Sequence, residues 1–384
     1  MEKELLYQKI YNDLLEGIQA ESYPPGERLP SEKELAEQYG VSRITSKKAL
    51  EMLADRNIIT RRPGKGSYVR EKGKIDRDKI VSLLPSIDSE NKGRMLGVVL
   101  DNFGMTYGCK IVKGIERECR KLNFYMVLKC TYGDMAEESK AIRELIAMGA
   151  EGIILMCVQG ETYNEDVLRM SVEKFPIVMV DRSLAGLPIP SVCTDNYQAS
   201  RELMSVLIEK GHKEICFLSH PSMQTSSVAA RFAGYLDSLL EHGLKTNEDM
   251  WLRNLKAFLP QVREGSEEEE GEEEDASEDR ERMKTFIQEH PQVTGFFAVD
   301  VELGIMAYNI LCDLGQDKEK EVVFFDGIKE SCDSNPIFSH VVQNEYQMGT
   351  TAVKYLEDLI QGKEVPMKCD VPYRIVRGDR NKAD

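Results

Sequence analysis

The sequence predicts an α/β protein in two unequal parts: a small helical module closed by a β-hairpin, and a larger module of parallel sheets covered by helices. Three observations carry this reading. Apolar residues recur at helical spacing through Leu53, and beyond Arg94 short apolar runs alternate with amphipathic stretches of helix length. The chain has 384 residues, 41% apolar and 30% charged, which is too long for one ordinary core and too apolar for general disorder.

The elements of the small module follow in order. Leu6, Ile10, Leu14 and Ile18 recur every fourth position before Pro24-Pro25-Gly26, one amphipathic helix ended by a turn. Ser31 with Glu34 three residues on forms a capping box that opens a second helix, which Gly40 stops. Ser42 caps a third helix whose buried side is Ala49, Leu50 and Leu53, giving helix-turn-helix spacing. Ile58 to Arg62 and Ser67 to Val69 then read as short strands around Pro63-Gly64-Lys65-Gly66, a hairpin wing.

Charge is unevenly placed. With 66 acidic and 50 basic side chains the net charge is -16, which argues against a nucleic-acid binder until it is mapped along the chain. Residues 264–282 hold twelve acids and two bases, whereas residues 40–72 hold nine bases and three acids. The N-terminal module is therefore basic within an acidic protein. Its third helix presents Ser42, Arg43, Thr45, Ser46 and Lys47 at the end that enters a major groove. There Arg43 suits a guanine edge, and the hydroxyls suit phosphates.

The N-terminus lacks the apolar stretch of a secretory signal, and no apolar run approaches the roughly 18 residues of a membrane span. The nine cysteines are odd in number and never in Cys-x-x-Cys spacing, which points to a reducing compartment, the cytoplasm. No zinc or other metal site, cofactor or membrane association is expected.

In the large module the runs 95–100, 125–130, 152–156, 177–181, 214–220, 295–300 and 322–326 predict strands separated by helices. A break near Pro188-Ile189-Pro190 suggests two sheets. Ligands of such sheets bind beyond the carboxyl ends of the strands, where Asp101, Asn102, Phe103, Tyr107, Asp181, Arg182, Asp300 and Asp326 collect. No Gly-x-Ser-x-Gly, P-loop or His-Glu-x-x-His occurs and the histidines are scattered, so no catalytic residue is assigned and an enzyme is not expected.

The stretch from Leu29 to Val69 resembles the winged helix-turn-helix of the GntR family of bacterial transcription regulators. The resemblance implies DNA contact by Lys33 and Lys47 and approach of the wing tip Gly64-Lys65-Gly66 to a minor groove. Lysine in place of a family arginine gives up the bidentate fork. Residues 94–380 resemble the periplasmic-binding-protein-like effector domain of lactose-repressor and ribose-binding proteins. The matching segments are Ile177 to Arg182, Asp195 to Ala199, Arg231 to Tyr235, Val323 to Gly327, and His340 to Gln343. The resemblance implies a sugar cleft in which Asp181, Arg182, Arg231, Asp326 and Gln343 contact ligand and Tyr107 stacks on it. Carboxylates accepting hydroxyl protons, a guanidinium fork and an aromatic face are chemistry a sugar ring uses.

Two segments depart from that pattern. Val299 stands before Asp300 where the family places a polar residue, and 264–282 reads as a disordered acidic insertion. The expected domains are thus 1–72, a winged helix-turn-helix; 73–93, a linker; and 94–380, a two-lobed effector domain. Both halves together resemble GntR-type arabinose repressors. That resemblance implies a homodimeric repressor of carbohydrate-utilisation genes that binds an operator and is released by a sugar. An activator, a co-repressor-dependent repressor with a non-sugar ligand, and a carbohydrate-binding protein not acting on DNA stay open as alternatives.

Overall fold

The computed structural model describes residues 6–20, 22–70, 94–104, 106–158, 163–221, 223–256, 270–327 and 337–379. The chain divides into two units, Met1–Lys92 and Gly93–Asp384. The expected linker 73–93 lies outside the described residues.

In the first unit, α1 (Leu6–Gln19), α2 (Glu32–Tyr39) and α3 (Arg43–Asp55) precede the antiparallel pair β1 (Ile59–Arg62) and β2 (Gly66–Val69). The local signals act as read. Ser31 and Glu34 form the reciprocal capping box on α2, and Gly40 ends it at φ 62, a left-handed conformation that costs a glycine little. Ile10, Leu14, Leu35, Ala49, Leu50, Leu53, Ile59 and Val69 bury one core among the helices and the hairpin.

The second unit holds two six-stranded sheets. The first lobe contains β3 (Arg94–Leu100), α4 (Cys109–Lys121), β4 (Phe124–Cys130), α5 (Met135–Ala147), β5 (Gly152–Leu155), α6 (Glu165–Val172), β6 (Ile177–Val180) and β7 (Ser191–Thr194). The chain then enters the second lobe through α7 (Asn196–Glu209). There follow β8 (Ile215–Leu218), α8 (Ser226–Glu241), β9 (Trp251–Leu252), α9 (Glu270–Glu289), β10 (Gly295–Ala298), α10 (Val301–Asp313), β11 (Glu321–Phe325) and β12 (Ser339–Val342). It returns to the first lobe with α11 (Glu345–Ile360) and β13 (Lys368–Val371), and crosses once more to β14 (Arg374–Val376).

Strand order is β13-β7-β6-β5-β3-β4 in the first sheet, all parallel, and β14-β12-β11-β10-β8-β9 in the second, where only β14 is antiparallel. Strands buried on both faces read as continuous apolar runs, as the burial of β5, β6, β8 and β10 at every position illustrates.

Two expectations are corrected. The two expected sheets are present, and the first crossing follows β7 at the Asp195 cap of α7, inside the Asp195 to Ala199 segment whose resemblance marks the crossover into the second lobe; only the break near Pro188-Ile189-Pro190 is displaced, falling inside the β6–β7 connection of the first lobe. Prolines there mark a turn between neighbouring strands and not a lobe boundary. The acidic stretch 264–282, expected as disordered, is helical from Glu270 onward, while 264–269 lie outside the described residues. Its later turns supply the reason. Met283, Phe286 and Ile287, spaced three and four apart, are buried in the second-lobe core, and acidic residues toward a helix N-terminus favour the helix dipole.

Candidate functional site

In the first unit the hydroxyl of Ser42 accepts from the Thr45 amide at 3.3 Å, capping α3, and lies 2.9 Å from Thr45 Oγ1. Arg43 is exposed at that end. Lys33 and Lys47 sit 3.8 and 3.7 Å from Glu37 and Glu51 on open helix faces, pairs that water screens. Gly64 and Gly66 hold φ of 71 and 108 and keep Lys65 exposed at the wing tip.

Ser46 departs from expectation. It is fully buried, and its hydroxyl donates to the Glu32 carbonyl at 2.7 Å and to the Arg43 carbonyl at 3.1 Å. It fastens the third helix to the start of the second and presents nothing to DNA. Helical phase explains this, because Ser46 shares a stripe with Ala49, Leu50 and Leu53.

In the second unit the eight cleft residues expected from sequence, Phe103, Tyr107, Asp181, Arg182, Arg231, Asp300, Asp326 and Gln343, all line one cavity of about 180 Å³ between the lobes. Parallel strands put them there. Asp181 follows β6 and Asp326 follows β11, each at a left-handed φ, 69 and 68, that turns its side chain off the strand end. Tyr107 donates its hydroxyl to Asp181. Arg182 reaches Asp101 Oδ2 at 2.8 Å and the Cys157 carbonyl at 2.6 Å. Arg231 donates to Asn196 Oδ1 at 2.8 Å and to the Val299 carbonyl at 2.6 Å, and its guanidinium lies 3.9 Å from the centre of the Phe325 ring. Gln343 Nε2 donates to Asp326 Oδ1 at 2.7 Å.

The sequence reading missed several groups in this cavity. Asp101 figures in the sequence only among the polar residues at strand ends, and His220, Thr106 and Glu302 carry no motif there, yet all four line the cavity. His220 Nε2 is 2.6 Å from Asp300 Oδ2, supplying polarity beside Val299, whose own side chain is buried in the core. The signal was present, since His220 ends the apolar run of β8 two residues past Leu218. Thr106 donates to Glu302 at 2.7 Å, linking the rims of the two lobes.

Burial sets the electrostatics. Asp326 is pushed up to about 7, first by burial and then by Asp181 and Glu345, against the opposing pull of Arg231 and Gln343. Burial, with Asp181 beside it, drives the Tyr107 hydroxyl well above its ordinary range. Arg182 loses solvation, yet Asp101 and Asp181 hold it firmly charged. Asp101 Oδ1 and Gln343 Oε1, on residues that line the cavity, are buried without a hydrogen-bond partner. A larger cavity of about 570 Å³ adjoins it and shares Asp181 and Ser227. Of the eight expected residues only Asp181 lines that space, so the smaller cavity is the candidate site.

A basic helix-turn-helix joined to a two-lobed cleft of this chemistry defines a transcription regulator with a DNA reader and a small-molecule effector domain. Comparison with known proteins agrees: residues 96–364 match the periplasmic binding protein domain, to which family the chain belongs, and residues 6–69 match the bacterial regulatory proteins of the gntR family.

Among curated relatives, the arabinose metabolism transcriptional repressor of Geobacillus stearothermophilus is 22% identical over 383 residues, spanning 96% of this chain and 94% of that protein. Catabolite control protein A of Priestia megaterium is 22% identical over 290 residues, 75% of this chain and 81% of that protein. The match to the probable HTH-type transcriptional regulator EndR of Paenibacillus polymyxa, 27% identical, covers 56% of this chain and 62% of that protein. The crystal structure of the transcription regulator CcpA of Lactococcus lactis superposes with a TM-score of 0.61 at 19% identity, over 74% of this chain and 98% of the other, a likeness of fold.

Proposed function

We propose that the protein represses carbohydrate-utilisation genes and is released from its operator by a neutral sugar such as arabinose. The observation that carries this is the convergence of Asp181, Arg182, Arg231, Asp326 and Gln343, with Phe103 and Tyr107, around a cavity of about 180 Å³, the size of one sugar ring. The carboxyl groups of Asp181 and Asp326 lining the cavity match the hydroxyl donors of such a ring. The near full-length similarity to an arabinose metabolism repressor supports the same reading.

In this proposal Arg43 reads a guanine and Lys33, Lys47 and Lys65 neutralise phosphates, with Ser42, Thr45 and the glycines Gly64 and Gly66 shaping the two contact points. The regulator acts in the cytoplasm as a homodimer on two half-sites, and ligand shifts the lobe arrangement that sets their spacing. A thermal-shift panel of pentoses, hexoses, sugar phosphates and purines, followed by fluorescence anisotropy on a selected operator, tests it. A sugar that raises the melting temperature and weakens operator binding is the expected result. A purine hit, or a sugar that tightens operator binding, would replace repressor release with co-repression.

A further inference from the structure

Ile44, the second residue of α3, is 80% exposed between Arg43 and Thr45. The helix buries Ser46, Ala49, Leu50 and Leu53. At about 100° per residue Ile44 stands about 160° around the axis from Ser46, almost opposite the buried stripe. Exposed Lys47 and Lys48 share its face. An aliphatic side chain in that position adds nothing to the core, and its near neighbours Arg43, Lys47 and Lys48 make the N-terminal end of this face basic, with Glu51 and Asp55 only toward its C-terminal end, so the N-terminal end suits a polyanion. Its position is also fixed before any encounter. Ser42 caps the first turn, and the buried Ser46 hydroxyl pins the helix to Glu32. A rigid side chain loses little entropy on contact.

A DNA major groove presents one apolar group to such a residue, the C5 methyl of thymine. We propose that Ile44 is a specificity-determining residue that packs on a thymine methyl in a base pair next to the guanine contacted by Arg43. The polar neighbours then set phosphate contact and guanine choice, while Ile44 distinguishes thymine from cytosine by shape and loss of water.

The test uses the full-length chain. A binding site is selected from random duplexes, and each thymine in it is then replaced by deoxyuridine, which removes the methyl and leaves base pairing intact. Burial of one such group is worth about 0.8 kcal/mol, or about four-fold in affinity. The expected result is a thymine, adjacent to the guanine whose loss is silent in Arg43→Ala, where deoxyuridine weakens the native protein about four-fold and leaves Ile44→Ala unaffected. Melting curves of Ile44→Ala and of a second variant, Ile44→Asn, check that folding is intact. A selected site without a thymine there, a site indifferent to every methyl, or equal methyl sensitivity in Ile44→Ala would overturn the proposal. Failure to select any sequence would overturn it too, along with the DNA-reading role of Arg43. None of these outcomes bears on the sugar cleft.

Discussion

His220 bridges Asp300 and the Leu255 carbonyl: its Nε2 lies 2.6 Å from the carboxylate and its Nδ1 2.9 Å from the carbonyl oxygen. Both ring nitrogens face acceptors, so the doubly protonated ring satisfies both. Burial disfavours that charge, but Asp300 outweighs it and raises the pKa of His220. For Asp300 burial acts upward and His220 downward, and the net result is a lowered carboxyl.

The sign of the pH dependence follows. His220 contributes stability in full below its ordinary value of 6.5 and loses it as pH rises through the raised value in the fold. Asp300 contributes above its ordinary 3.8 and loses its share only as pH falls through its lowered value. The pair is therefore at full strength between these limits. In urea unfolding from pH 5.5 to 8.5, the advantage of the native protein over His220→Gln is expected to shrink as pH rises; a constant difference would show that the pair is energetically idle.

Asp326 loses stability in the same direction of pH as His220, but because its buried carboxyl resists ionisation. Its carboxyl titrates at about 7 in the fold against an ordinary 3.8, so the unfolded chain gives up this proton first and stability drains as pH climbs between the two. Asp326→Asn is expected to stabilise the unliganded protein at pH 8 by on the order of 1–3 kcal/mol while abolishing the thermal shift caused by sugar. Unchanged stability at pH 8 would mean that Asp326 ionises without penalty.

Neighbouring residues of α3 divide between the core and the surface, Ser46 being buried and Arg43 exposed. Removing the buried Ser46 hydroxyl leaves the Glu32 carbonyl without this donor, so Ser46→Ala should lower stability by about 1 kcal/mol and keep base preference intact. Arg43→Ala should do the reverse, leaving the melting temperature unchanged and weakening specific binding by about 1–3 kcal/mol. Competition assays with single-base operator variants separate the two, and altered base preference in Ser46→Ala would contradict its burial.

Arg231 ties Asn196 of α7 to the Val299 carbonyl beside the cleft. Arg231→Ala is expected to retain operator binding and lose the response to sugar. Anisotropy titrations of operator with and without ligand measure both. A variant that still releases DNA at native sugar concentrations would remove Arg231 from the proposed ligand set.

What could be read from the sequence was whatever chemistry acts over three or four residues. The Ser31–Glu34 box, the Ser42 cap, the Gly40 stop and the strand-end residues Asp181 and Asp326 all declare themselves locally, because hydrogen bonds to the next turn and side-chain periodicity require only near neighbours. The sequence by itself thus determined a winged helix-turn-helix and alternating strands and helices with polar residues at the strand ends, while Arg231 and Gln343 entered the cleft set only through the family resemblance.

Tertiary structure decided the rest. His220 meets Asp300 across 80 positions of chain, Thr106 meets Glu302 across 196, and Ser46 is withdrawn from the surface by Glu32 on another helix. Met283, Phe286 and Ile287 turn an acidic stretch into a packed helix only because the second lobe supplies a core for them. These outcomes rest on which surfaces meet after the chain crosses between lobes, and residue type alone carries no distance information over such separations.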